Sequence, residues 1–296
     1  MLMVEEKEIV VAGRFIKTAL LRDEWLEEIE NPEHFIGAMK KQDIRADLFT
    51  FWQKLPETEP KYEYYMERDP IAAIPIKSYE HWMNHQIERS ARKAVRKAEK
   101  KGVTVSVSGL NDDLVKGIMT IYNETPIRQG RPYPHYGKDF DTVKKDLSRD
   151  QHRSDFICAY AGGELIGFIQ LGYTGASVLP FGMVSKLEHR DKSPQNAMLA
   201  KAIEICEAKK IRYLWYGKWG EDSLGDFKKN NGCEKLNMPR YYIPLSAKGA
   251  LALKYHLHHG LAEAMPEKAK LRMKEIRKKW YAMKHRRTEP SGKEQE

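Results

Sequence analysis

The 296-residue chain predicts an α+β protein: a mixed, mostly antiparallel sheet with flanking helices, a small N-terminal α/β extension and a basic C-terminal helix. Three observations carry this prediction. Period-two alternation recurs between stretches of helical period. From Phe156 to Leu187, strand-like segments follow one another across the turns Gly162-Gly163 and Thr174-Gly175, as in a three-stranded meander. A polar loop then leads straight into a long helix. The composition agrees, since 41% hydrophobic and 10% aromatic residues suffice for a sizeable core. A mean hydropathy of −0.66 and the absence of a long uncharged apolar run exclude a spanning helix. Lys and Arg number 51 against 42 Asp and Glu, and the resulting charge of +9 favours phosphate-bearing or polyanionic partners.

Residues 8–22 alternate as strands, and DEWLEEIENPEHF, residues 23–35, reads as helix, proline break, helix. ADLFTFWQKLP, KYEYYME and IAAIPI give two or three paired strands over 46–76, completing an N-terminal unit, 1–77. From Ser78 the period is helical as far as Gly102, a residue suited to the position after a helix. Ile87, Ala91, Ala94, Val95 and Ala98 share one face of that helix. Arg89, Arg92, Lys93, Arg96, Lys97, Lys100 and Lys101 cover the rest. A solvated face over an alanine stripe accounts for this pattern, and so does a helix, 86–101, that meets a polyanion such as RNA.

Strand 103–108 precedes a helix capped by Asn111 or Asp112. The next stretch, PIRQGRPYPHYGKDF, holds more polar and aromatic groups than core packing requires. It is a candidate functional loop, with Arg128, Arg131 and Tyr136 as substrate-binding groups. Three prolines stiffen it, so it can aim its side chains. After a short helix and the meander, EHRDKS leads into PQNAMLAKAIEICEAKK, with Ser193 as N-cap and Pro194 in the first turn, where its missing N–H costs nothing. A helix N-terminus presents unsatisfied N–H groups and about half a positive charge. Arg190, Lys192, Ser193, Gln195 and Asn196 therefore bound a candidate phosphate site. IRYLWY is a strand, EDSLGDFKKNN a helix closed at Gly232, and RYYIPL the last strand of a core domain, 78–245. Residues 246–296 form a helical basic tail, with Leu271, Ile276, Trp280 and Met283 on its apolar side and a disordered end.

The element order from Val103, with RSARKAVRKAEKKGVTV, SPQNAMLAKAIEICEAKKI and FKKNNGC, resembles the GNAT acyltransferase superfamily and, within it, the FemABX-like branch, over about residues 78–245. The resemblance implies an N-acyltransferase. It would move an acetyl or aminoacyl group from CoA or another phosphate-bearing carrier, such as aminoacyl-tRNA, to an amine of a small molecule or peptide. Acyl-CoA, acetyl-CoA first, is the implied co-substrate, with no metal. In GNAT proteins the place of HRDKSPQNA binds the CoA pyrophosphate through Q/R-x-x-G-x-G/A; neither glycine is present here, which leaves aminoacyl-tRNA open. A carboxylate or water commonly acts as base and a tyrosine as acid, which points to Glu188 and His189 after the meander and to Tyr133 and His135 on the loop opposite. The tyrosine common after the fifth core strand is missing; Phe227 and Lys228 stand there. The resemblance also implies that the third meander strand parts from its parallel neighbour, 211–216, to admit the carrier.

No GxSxG elbow, Walker A run or GxGxxG is present, so hydrolase, ATPase and dinucleotide-binding classes lack their anchors. The alternative is a non-enzymatic nucleic-acid or anionic-ligand binder that uses the basic helices and the Arg/Tyr-rich loop. Cys158, Cys206 and Cys233 are too few and too far apart for a disulfide framework and are expected as buried thiols. No CxxC or paired-His spacing marks a structural zinc site. The acidic N-terminus lacks a secretory pattern, so the expected compartment is the cytoplasm.

Overall fold

The computed structural model describes residues 2–259 and, beyond them, positions 272, 273, 275 and 276; the rest of the expected basic tail, including Leu271, Trp280 and Met283, lies outside the described residues. Alternating side chains make β1 (Leu2–Val4), β2 (Lys7–Ala12) and β3 (Thr18–Leu21) an antiparallel meander whose Val4, Ile9, Ala19 and Leu21 are buried. Of the helix–proline–helix expected over 23–35, the second half forms. Helix α1 (Pro32–Lys41) begins at the proline, with the Asn31 side chain accepting from the His34 N–H. Residues 23–30 are turns and irregular backbone instead. The cause is tertiary. Leu26 and Ile29 are drawn into two different apolar clusters, and Trp25 packs against Trp52 and Trp215 with ring centroids 4.9 and 4.8 Å apart, demands that one helix face cannot meet together.

Strand β4 (Leu48–Trp52) lies parallel to β3, and β5 (Tyr65–Pro75) follows. The single helix expected from Ser78 breaks into α2 (Tyr79–His81), a wide π-turn over Trp82–Gln86, an extended Ile87, and α3 (Arg89–Lys100). Side chains hold the break open. The Gln86 amide donates to the Pro75 carbonyl at 2.8 Å, and the Arg92 guanidinium donates to the carbonyls of Met83, Asn84 and Ile87.

Then come β6 (Thr104–Ser108) and α4 (Asp112–Tyr122), the latter capped by Asn111, which accepts from the Leu114 N–H at 2.9 Å. The loop expected after it contains a small hairpin, β7 (Ile127–Arg128) and β8 (Arg131–Pro132), turning at Gln129 and Gly130, both at positive φ. Helix α5 (Phe140–Ser148) precedes the expected meander: β9 (Ser154–Ala161), β10 (Glu164–Thr174) and β11 (Ser177–Ser185). Helix α6 (Pro194–Ala208), β12 (Tyr213–Lys218), α7 (Ser223–Asn230), β13 (Glu234–Pro244) and α8 (Ala247–Lys254) complete the described chain.

Eleven strands form one sheet in the order β1-β2-β3-β4-β13-β5-β12-β11-β10-β9-β6. Its centre is an exchange: β13, the last strand, sits between β4 and β5, while β5 sits between β13 and β12. Helices α3 and α6 cover one face over Ile157, Ala159, Ile169 and Leu171. Helices α4 and α5 cover the other over Phe156, Cys158 and Phe168. Each buried Ile, Leu or Phe among these contributes about 1.5–3 kcal/mol. All three cysteines are buried free thiols, and burial pushes Cys158 up to about 11 and Cys206 and Cys233 to about 12, so they pack as small apolar groups.

Candidate functional site

The parallel pair β11/β12 is joined at Ser177↔Tyr213 and Val178↔Leu214 and nowhere beyond. From Leu179 onward β11 stays with β10, while β12 turns toward β5 with a register irregularity between Trp215 and Lys218. The local sequence explains the parting. Pro180 has no N–H to give a ladder, β11 bulges at Phe181, which has no partner between Gln170↔Gly182 and Leu171↔Pro180, and Gly217 sits at φ 77, where other residues are strained. The wedge expected in the sheet is therefore present.

On β12, Trp215 and Tyr216 point to opposite faces, each with a buried lysine near its ring. On the α6 face, the Tyr216 hydroxyl lies 3.0 Å from the Met183 sulfur, and the Lys228 ammonium lies 5.3 Å from the Tyr216 ring and donates to the Lys218 carbonyl at 2.7 Å. Lys228 is 6% exposed, and burial lowers its pKa. Helix α7 positions it: the Asp222 carboxylate accepts from the Gly225 N–H at 3.1 Å. Gly225 packs so tightly that an added Cβ would lie 2.0 Å from the Gly220 carbonyl oxygen. On the other face, Lys54 lies 5.4 Å from the Trp215 ring and donates to the Glu24 carbonyl; burial lowers its pKa to about 7.

The Arg/Tyr-rich loop lies on this second face of the sheet, opposite Lys228. His135 stacks on Tyr122 at 4.5 Å, and both line a cavity of about 670 Å³ with Phe181, Gly182 and Val184 of β11. Burial, and then the Lys138 charge, lower the His135 pKa and favour the neutral ring. The Tyr133 hydroxyl is buried without a hydrogen-bond partner among the described residues, and burial pushes it to about 12. Arg128 turns inward, donating to the carbonyls of Ser185 and Ile121 and to Glu124, and lying 5.0 Å from the Tyr133 ring. These contacts tie the loop to the end of β11 and leave the guanidinium fork engaged within the chain. Arg131 and Tyr136 are exposed.

Glu188 and His189 lie on the surface in an ion-pair cluster. Glu188 is 3.2 Å from Lys186, and the His189 ring is 3.2 Å from Glu164, which Lys186 also contacts. Among the described residues, no hydrogen bond, ion pair or ring contact joins either to Tyr133 or His135. Ser193 does stand at the head of α6, but at φ 56 and ψ 43 its hydroxyl makes no capping bond. Arg190 is exposed, Lys192 lies 3.0 Å from His189, and the intervening Asp191 pairs with Lys101 at the end of α3, 3.2 Å away. Asn196 donates from its amide to the Asn231 side chain at 2.9 Å; Gln195 beside it is half-buried. Lys54 is not singled out by sequence reasoning, and Lys228 is noted only as standing where a tyrosine is missing. A lysine at an otherwise apolar helix position, in DFKKNNG, is the signal that could have found Lys228.

No family model matches the chain, and no curated protein matches it. Among solved structures, FemX superposes with a TM-score of 0.56 at 13% identity, covering 83% of this chain and 85% of that one. L-PGS from Bacillus licheniformis gives 0.54 at 12%, covering 83% and 84%. The C-terminal domain of a putative lysylphosphatidylglycerol synthetase from Agrobacterium fabrum gives 0.54 at 12%, covering 83% of both chains. At these identities the likeness is one of fold. The parted parallel strands, the helix led in by a polar loop and the likeness to FemX together give this chain a GNAT-type fold in its FemABX-like form.

Proposed function

We propose that the chain is an acyltransferase that moves an acyl group from a phosphate-bearing carrier to an amine acceptor. The observation that carries this reading is the parting of β11 from β12 with Lys228 buried beside it. A reactive carbonyl held in that wedge meets backbone groups of β11 that no ladder uses, and an ammonium in surroundings of low polarity. Both stabilise the oxyanion of a tetrahedral intermediate far better than water-exposed donors would. The amine enters from the 670 Å³ cavity, where neutral His135 accepts its proton. The amine nitrogen bonds to the carbonyl carbon, the carbon–sulfur or carbon–oxygen bond to the carrier breaks, and the leaving thiol or hydroxyl takes up a proton.

In this reading Arg190 and Lys192, in the turn before α6, meet the carrier's phosphates. The exposed Arg89, Lys93, Arg96, Lys97, Lys100 and Lys101 continue from that turn along α3. So long a row suits a polyphosphate chain, as in aminoacyl-tRNA, better than a single pyrophosphate, as in acetyl-CoA. The test is to incubate the purified chain with radiolabelled acetyl-CoA or aminoacyl-tRNA and a panel of amines. Labelled amide from either donor, lost in Lys228→Met, supports the reading. RNA binding without transfer from either donor would replace it with that of a nucleic-acid binder.

A further inference from the structure

Where the chain leaves α8 it returns to β5. There His258 and His259 aim the same ring nitrogen, Nε2, at the two oxygens of one carboxylate, Glu67, at 2.9 and 2.5 Å. The three donor atoms lie within 4.8 Å of one another, and the two ring centroids are 4.1 Å apart. In a tetrahedral zinc site, metal–ligand bonds of about 2.0–2.2 Å put neighbouring donors about 3.3 Å apart, so this set accepts an ion with displacements of less than about 1 Å.

Two further features favour an ion over a plain hydrogen-bonded cluster. The His258 side chain is fully buried, and its Nδ1 has no partner among the described residues. Without an ion the Glu67 carboxylate holds the proton on Nε2, and no bond at Nδ1 opposes its transfer there when a metal takes the Nε2 lone pair. The Tyr65 hydroxyl, 3.0 Å from His256 Nδ1, donates to Glu67 at 3.2 Å, the kind of support that orients a ligating carboxylate. A cavity of about 530 Å³, walled by Gly13, Phe15, Ile16 and Leu257, opens beside the histidines and offers an entry path and room for a water as a further ligand.

We propose that Glu67, His258 and His259 form a site for a divalent transition-metal ion of the zinc type. Imidazole and carboxylate donors select Zn²⁺, Co²⁺ or Ni²⁺ over Mg²⁺ and Ca²⁺, which require oxygen ligands. The bound ion ties the end of the described chain to β5, the strand exchanged at the centre of the sheet. The second cluster of this kind, Glu164, Glu188 and His189, differs because the Lys186 ammonium contacts both carboxylates and takes the place of a cation. The sequence shows the histidines, His256, His258 and His259 within four residues, but not the carboxylate, since Glu67 lies 191 and 192 residues from the two it meets.

The experiment uses the full chain, stripped of metal with a chelator. It is titrated with Zn²⁺ by calorimetry and with Co²⁺ by visible absorption, and Mg²⁺ serves as control. The expected result is a single ion per chain, with ligand-field bands for Co²⁺ and no heat with Mg²⁺. His259→Gln and Glu67→Gln each weaken Zn²⁺ binding by roughly 100-fold or more, and Tyr65→Phe by roughly tenfold. Glu164→Gln with His189→Gln leaves it unchanged. If one ligand variant fails to fold, the other is read. Absence of saturable Zn²⁺ binding, or binding that survives both ligand variants or disappears in the Glu164/His189 variant, overturns the proposal.

Discussion

The two ends of the sheet repeat one topology and differ in one respect. At the N-terminal end, a three-strand meander feeds α1 and then β4, parallel to β3; at the other, the meander β9–β11 feeds α6 and then β12, parallel to β11. Each parallel pair is short: Thr18↔Leu48 to Leu20↔Thr50 in the first, and Ser177↔Tyr213 to Val178↔Leu214 in the second. Strand β3, however, stops at Leu21, while β11 runs on to Ser185 without its partner. A cleft needs a strand that outlasts its pairing. Where β3 ends, Phe35, Phe49, Phe51 and Tyr241 fill the space with stacked rings; where β11 continues, the wedge holds Met183, Tyr216 and a buried lysine. One end therefore serves packing, and the other is free for chemistry.

The largest expected effect breaks the packed end. Phe51→Ala removes a ring that is 1% exposed and should cost about 3–5 kcal/mol in denaturant unfolding, while turnover per folded molecule stays at the wild-type value. At the other end, Lys228→Met should do the reverse. Loss of an oxyanion donor lowers kcat by about 10²–10³, while replacing a buried ammonium by an apolar chain leaves the melting temperature equal or higher. A Lys228→Met enzyme with normal turnover would detach the wedge from catalysis.

Next in size is His135, for which His135→Gln should lower turnover on the order of 10²-fold. Its pKa in the folded chain lies below the ordinary 6.5. As pH falls below 6.5 the unfolded chain takes the proton first, so this contribution to stability is complete above 6.5 and is lost as pH drops toward the folded value. The acid limb of a kcat profile should accordingly lie below 6.5 and vanish in the variant. The smallest effect sharpens the carrier assignment: Arg190→Ala with Lys192→Ala should weaken carrier binding at low salt and reduce the slope of log affinity against log salt by about two.

Local rules read part of this fold well. Asn111 caps α4 as its side chain dictates, Pro194 opens α6, and the glycine turns place β9, β10 and β11. What escaped them is non-local. The exchange of β5 and β13 depends on pairs such as Glu234↔Ala73, far apart in sequence. The helix expected over 23–30 loses to Trp25, whose ring partners are Trp52 and Trp215. Arg128 looked like a ligand fork because arginine in a loop usually faces water. Its actual acceptors are the Glu124 carboxylate, four residues before it, and the carbonyls of Ser185 and Ile121, which carry no sequence signature.

The central claim is that the wedge between β11 and β12, and not its packed counterpart between β3 and β4, receives the acyl carrier. Hydrogen–deuterium exchange, measured with and without saturating acetyl-CoA and aminoacyl-tRNA in turn, tests this most directly. The account predicts that one of the two donors slows exchange at amides of Leu179–Ser185, at Tyr216–Lys218 and in the first turn of α6, and leaves 18–21 and 48–52 unchanged. Protection confined to α3, or appearing at β3 and β4 while β11 exchanges as before, would contradict it.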